Sequence, residues 1–284
     1  MSTKNAGVRG RRDPVPAPLL FVGGAVSQYA GAAVAVRSFD VVGAVGAAEL
    51  RALGAAVILC GWRRPWRSEA VARARGLVAT FGLALTAMNT AFYLAADRLP
   101  LGTAVAIEFL GPVAVAAAGT RSRRDVFALL LAGAGVALLA DVQWSGSPAG
   151  VAFALLAAVL WAAYIVLGHA VAATGAGVDG LAAGSAVGAL ALLPLAAPAV
   201  AGALDRPGVI AAGLSVGLLS SVVPYALDQV VLARMGRAAF ALLLSILPAT
   251  ATAIGLIALD QVPTAAEAVG IGLVVLGVAA RSRE

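Results

Sequence analysis

Apolar residues fall along this chain in blocks of about twenty, too continuous for the alternation of a half-buried strand or the single stripe of a soluble helix. The first block runs from about Pro14 to Val36. Nine more follow near 43–61, 76–96, 101–119, 125–141, 149–168, 181–201, 209–233, 238–258 and 264–280. Each is close to the ~20 residues an α-helix needs to cross the hydrocarbon core. The pattern therefore predicts an all-α membrane protein of ten transmembrane helices, joined by short connections into one domain. The first block is too long for a signal-peptide core of about 7–15 residues, and the polar, basic stretch 1–13 before it is expected to be a disordered tail.

The polar punctuation gives an orientation. With ten spans, sixteen basic residues fall on one side: Lys4, Arg9, Arg11, Arg12, Arg63, Arg64, Arg67, Arg73, Arg75, Arg121, Arg123, Arg124, Arg234, Arg237, Arg281 and Arg283. Only Arg37, Arg98 and Arg206 fall on the other, and Arg51 lies within the second span. The positive-inside rule then places both termini in the cytoplasm. The net charge of +6 is explained by these loops, so nucleic acid is not an expected partner. Composition agrees: 61% hydrophobic and 12% charged residues leave no soluble surface, and the Ala, Val, Leu and Gly palette suits closely packed membrane helices. One cysteine and one histidine argue against a disulfide, a zinc or haem site, or any cofactor.

Against that background the polar residues inside the spans stand out. The block Leu101 to Gly119 carries Glu108 in its interior and Pro112 four residues later. A carboxylate at a membrane-helix centre costs roughly 2.5–3.5 kcal/mol on insertion scales, and Pro112 leaves the Glu108 carbonyl without its helical donor. Glu108, Asn89, Tyr29 (beside Gln28) and Arg51 all lie about two turns from the outer ends of four different spans, roughly 10 Å deep at 1.5 Å per residue. Glu49 accompanies Arg51 but, two residues away, faces elsewhere. Tyr93 lies one turn nearer the outside than Asn89. In the second half the matching depth, measured from the cytoplasmic side, holds Trp161, Tyr225 and Ser245, while Ser220, Ser221 and Pro224 interrupt the eighth span. Polar groups at one depth on several helices point to a cavity. A structural reading stays open beside this one: Glu108 paired with Arg51 only to fix packing, and the aromatics as core. The halves also resemble each other, with Pro112 matched by Pro248 and GAGVALLA (133–140) by VLGVAA (275–280). Five spans repeated, an odd number, invert the second copy, the arrangement of many secondary transporters.

The stretch AVAIEFLGPVAVA (104–116), preceded by AMNTAFYLAADRLPLGTA (87–104), resembles the drug/metabolite transporter superfamily and, within it, EamA-type exporters of the threonine/homoserine efflux kind. VGAVGAAELR (42–51), AVLWAAYIVLG (158–168) and PYALDQVVLARM (224–235) fit at corresponding positions. The resemblance implies a 5+5 inverted repeat of EamA units at 14–141 and 148–280 in a bacterial plasma membrane, with solute export driven by an ion gradient, usually of protons. Relatives often carry Glu before the ninth-span proline; here the residue is Leu247, which leaves Glu108 as the main buried carboxylate. The reading that follows is proton-coupled export of a small polar metabolite, foremost a neutral amino acid such as threonine or homoserine. Glu108 would carry the proton. Arg51, Asn89, Gln28, Tyr29, Tyr93, Trp161, Tyr225 and Ser245 would supply the solute site. Partners are then the solute, protons and the lipid bilayer, with a homodimer left open. A multidrug or lipophilic-cation exporter of the same fold is the nearest alternative and should have a more aromatic interior than this sequence suggests. A membrane-embedded enzyme should show a His/Asp/Glu cluster or metal motif, and a non-transporting scaffold has no reason to set polar groups at one depth.

Overall fold

The structure, a computed structural model, describes residues 15–119, 123–144, 147–234 and 243–281. The expected tail at 1–13, Arg121, Arg237 and the beginning of the ninth apolar block lie outside them. All regular elements among the described residues are helical. They are α1 (Ala17–Arg37), α2 (Phe39–Arg63), α3 (Glu69–Arg73), α4 (Arg75–Ala96), α5 (Leu101–Glu108), α6 (Leu110–Gly119), α7 (Arg123–Trp144), α8 (Pro148–Ala173), α9 (Gly177–Ala201), α10 (Pro207–Gly217), α11 (Val223–Arg234), α12 (Leu247–Leu259) and α13 (Ala265–Arg281). Six stretches are long and apolar enough to span a membrane: α1, α2, α4, α8, α9 and the continuous run Pro207–Leu227. Shorter apolar helices cover Leu101–Val115, Val126–Leu139, Leu247–Leu259 and Ala265–Ala280.

Local chemistry sets the boundaries and the breaks. Pro148 and Pro207 open α8 and α10 in the first turn, where a missing N–H removes no helical bond. The Ser147 hydroxyl accepts from the Gly150 N–H at 3.2 Å to cap α8. The block at 101–119, one apolar span in the sequence with Pro112 as its helix-breaking residue, is two helices that meet at Phe109, one turn before Pro112. The block at 209–233 is likewise divided: α10 passes through a wider π-type turn at Leu218–Val222 into α11. That insertion lies just before Pro224. The second block begins at Phe39 rather than 43, and at Gly43 the backbone leaves helical geometry (φ 65°, ψ 170°). That region is essentially restricted to glycine.

Close approach of small residues assembles the bundle. α2 packs on α9, α4 on α8 and α9, and α7 on α13. α1 packs on α10, α11 and the turn between them, while α5 lies on α8 and α12. A Cβ added at Gly82 would sit 2.1 Å from the Gly184 carbonyl oxygen, so α4 and α9 meet backbone to backbone. The same construction at Gly111 gives 2.0 Å to the Ala158 oxygen, which presses α6 onto α8. Such contacts are the usual means of membrane-helix association, because lipid offers no hydrophobic drive between helices. The pairing crosses between halves: α4 lies on α8 and α9, and the broken α10–α11 helix lies on α1 and α2. The interrupted segments face each other across the centre.

A cavity built at the helix breaks

The two interruptions prepare the centre of the bundle. Pro224 has no N–H to offer the carbonyl four residues back, so the Ser220 oxygen is open to another donor. Arg51, on α2, takes it: its Nη2 donates to the Ser220 oxygen at 3.0 Å and its Nε donates to Ser221 Oγ at 3.3 Å. The guanidinium carbon lies 5.5 Å from the centre of the Tyr93 ring, within cation–π reach. α1 is fastened to the same turn by two hydrogen bonds of 2.8 Å, Ser27 Oγ to the Leu219 oxygen and Ser220 Oγ to the Gln28 oxygen. Arg51 is only 7% exposed, and two of its guanidinium nitrogens are held by these bonds.

Glu108 closes α5 at the other break and is also 7% exposed. Arg51 and Glu108 both line one cavity of about 430 Å³, within the usual range for small-molecule sites. They form no salt bridge among the described residues, whose ion pairs are Arg63 with Asp179 and Arg98 with Asp97. The simple packing pair weighed in the sequence is therefore not formed. A free acid and a held cation share one chamber instead.

The cavity also gathers Gln28, Tyr29, Asn89, Pro112, Trp161 and Tyr225, so residues from both halves of the chain meet there. Other expected residues stand elsewhere. Tyr93 is fully buried beneath Arg51 and does not line the cavity; its ring lies against the guanidinium. Ser245 is buried behind the wall, where Leu244 and Leu247 face inward in its place. Pro224 and Pro248 are buried in their helices and shape the wall without reaching it. Leu247 at the wall also shows what the missing second-half acid means: its position is apolar, and Glu108 is the one carboxylate among the lining residues.

One expectation is corrected. Six lining residues are aromatic: Tyr29, Phe92, Phe109, Trp161, Tyr164 and Tyr225. The 6% aromatic content of the chain hid this concentration. Phe109 meets Trp161 edge to face at 5.0 Å, and Phe81 stacks behind Tyr164 at 5.1 Å. Sequence reading missed Met88, Phe92, Phe109, Tyr164 and Ile165; Tyr164, one turn from Trp161, carried a usable signal. Beside the cavity, Arg51, Asn89 and Tyr225 also border a side pocket of about 20 Å³ with Thr86, Ser185 and Ser221. That is room for roughly one water.

The arrangement bears comparison with known proteins. The EamA-like transporter family matches residues 148–282. The Threonine/homoserine exporter RhtA of Salmonella typhimurium (strain SL1344) is 35% identical over 89% of this chain and 87% of its own length. The protein of that name in Escherichia coli (strain K12) is 34% identical over 93% of this chain and 91% of its own. A crystal structure of a protein 19% identical shares the fold with a TM-score of 0.53, covering 94% of this chain and 97% of the other. With matches of this identity and reach, and an all-helical bundle built from membrane-length apolar helices around a central cavity, this chain belongs to the EamA-like transporter family.

Proposed function

We propose that this protein exports small zwitterionic metabolites, foremost neutral amino acids such as threonine and homoserine, in exchange for protons. The observation that carries the reading is the separation of charge in one chamber: Arg51 is held by Ser220 and Ser221, and Glu108 stands in the same cavity without bridging to it. An amino acid presents the complementary pair. Its carboxylate meets the Arg51 guanidinium, whose planar fork suits that shape, and its ammonium group meets Glu108. Gln28, Asn89 and Tyr29 supply polar contacts to the remainder. Glu108 then holds either the solute's ammonium or a proton, never both, which links solute release outside to proton entry. The apolar helices and the one-sided distribution of basic residues support ten spans with both termini cytoplasmic in a bacterial plasma membrane. The reciprocal packing of α4 on α8 and α9 and of α10–α11 on α1 and α2 supports a 5+5 inverted repeat rocking about the cavity.

The aromatic wall favours a second reading, export of a lipophilic cation balanced by Glu108. Arg51 decides between them, because a cationic solute gains nothing from a fixed positive charge in a low-dielectric chamber. Uptake of labelled threonine or homoserine into proteoliposomes, with and without an imposed proton gradient, is the test. Gradient-dependent accumulation of either is the expected result. Folded protein that accumulates neither, yet moves lipophilic cations, would overturn the amino-acid reading.

A further inference from the structure

α2 carries two ionisable groups in its buried part, and they face different neighbours. Arg51 turns to the cavity. Glu49 shares its helix face with Gly46, one turn before it, and Cys60, three turns after it. Both of those residues meet α9. A Cβ on Gly46 would lie 3.3 Å from Ala199 Cβ, and Cys60 Sγ donates to the Ala182 oxygen at 3.3 Å. Between them, the helical register turns Glu49 toward the part of the antiparallel α9 that carries the buried Ala196. It is 0% exposed, and neither carboxylate oxygen has a hydrogen-bond partner.

The neighbours offer no counter-charge. Along α9 the one titratable group is Asp179, at its cytoplasmic start and paired with Arg63 at 2.8 Å; Asp205 and Arg206 lie in the loop beyond its other end. α10 and the turn after it carry none. α4 carries Arg75 and Tyr93, and α1 carries Tyr29 and Arg37, of which Tyr93 and Tyr29 belong to the Arg51 side. An ionised carboxylate enclosed without a partner is the most unfavourable way to bury a charge, whereas a neutral acid carries a donor.

The position matters as much as the burial. α2 belongs to the first half of the chain and α9 to the second, so relative movement of the halves slides or opens this contact. We propose that Glu49 is a second proton-binding site, separate from the cavity, closed with its proton between α2 and α9 here and opened to water when the halves move. This rests on the transport reading above for its place in the cycle, but not for the site itself. Each turnover that exposes Glu49 on one side and closes it again on the other carries one further proton, bound and released as H⁺ with no other bond changed.

The site is tested without any solute. In nanodisc-embedded protein at neutral pH, infrared spectroscopy should show a protonated-carboxyl C=O band that survives Glu108→Gln and vanishes in Glu49→Gln. Absence of such a band from the wild type, or its survival in Glu49→Gln, overturns the proposal. Glu49→Asp keeps an acid and should move the band without removing it, which preserves the readout if the Gln variant does not fold. In proteoliposomes, Glu49→Gln should retain solute counterflow while the protons moved per solute, read from the reversal potential, fall by one. An unchanged ratio would reduce Glu49 to a static buried acid and overturn the coupling role. If wild-type vesicles move no amino acid, the transport assignment fails while the infrared result still stands or falls alone.

Discussion

Glu267 and Glu108 are buried to nearly the same degree, 3% and 7% exposed, and have opposite surroundings. Glu267 sits in the first turn of α13 in a capping box. Its Oε2 accepts from the Thr264 N–H at 2.8 Å and hydroxyl at 2.9 Å, and Thr264 Oγ1 accepts in return from the Glu267 N–H at 3.2 Å. Its Oε1 accepts from Gln143 Nε2 at 2.5 Å and Thr103 Oγ1 at 3.3 Å. One carboxylate thus clamps α5, α7 and α13 together. Among the described residues Glu108 takes no side-chain hydrogen bond, and it faces a chamber instead. A buried acid is therefore not in itself a sign of chemistry. The donors around it decide whether it is a fastening or a working group.

Substitutions should separate these roles. The largest effect is expected at the cation opposite Glu108. Arg51→Ala should weaken solute binding by about 2–5 kcal/mol, or roughly 30- to several-thousand-fold, read as the half-saturating concentration in vesicles. Arg51→Lys keeps the charge but not the fork that reaches Ser220 and Ser221, so it should recover only part of that loss. At the clamp, Glu267→Ala leaves Gln143 and Thr103 without their acceptor and removes the carboxylate half of the capping box. It should lower stability by about 1–3 kcal/mol, seen as a lower thermal midpoint, with transport per folded molecule unchanged. Glu108→Ala should do the reverse, removing gradient-driven accumulation with little change in midpoint. If both acids shift the midpoint alike, the contrast fails.

Smaller effects refine the picture. Gly43→Ala forces a Cβ into a glycine-only backbone region and should cost about 1–3 kcal/mol of stability, without altering proton dependence. Pro224→Ala returns an N–H that competes with Arg51 for the Ser220 oxygen. About 0.5–1.5 kcal/mol is at stake for one hydrogen bond, so solute affinity should fall by only a few-fold.

The breaks and the polar layer were legible in the sequence because prolines and charges in apolar blocks are unambiguous. Pro112, Pro224, Glu108, Arg51 and Asn89 could be placed by depth alone, and the structure gathers Glu108, Arg51 and Asn89 at one cavity. Depth does not fix direction around a helix, however. Ser245 shares the expected depth and lies behind the wall, while Leu244 and Leu247 face inward. The aromatic lining was hidden for a related reason: Phe92 and Phe109 in apolar blocks look the same whether they pack against lipid, core or solute. The anchoring of Arg51 by the Ser220 carbonyl joins residues 169 positions apart, and no local pattern announces such a bond. Glu267 had the capping-box spacing from Thr264, but only the fold brings Gln143 and Thr103 to it.

Proton coupling by the proposed route requires Glu108 to hold a proton or the solute in turn. It is tested most directly by comparing Glu108→Gln with wild type in the same proteoliposomes, under two regimes. One is counterflow with solute on both sides and no gradient; the other is accumulation driven by a proton gradient. The account predicts that Glu108→Gln still exchanges labelled threonine or homoserine in counterflow, at reduced affinity, and accumulates neither when the gradient is imposed. A Glu108→Gln protein that concentrates solute with the wild-type response to the gradient would contradict it.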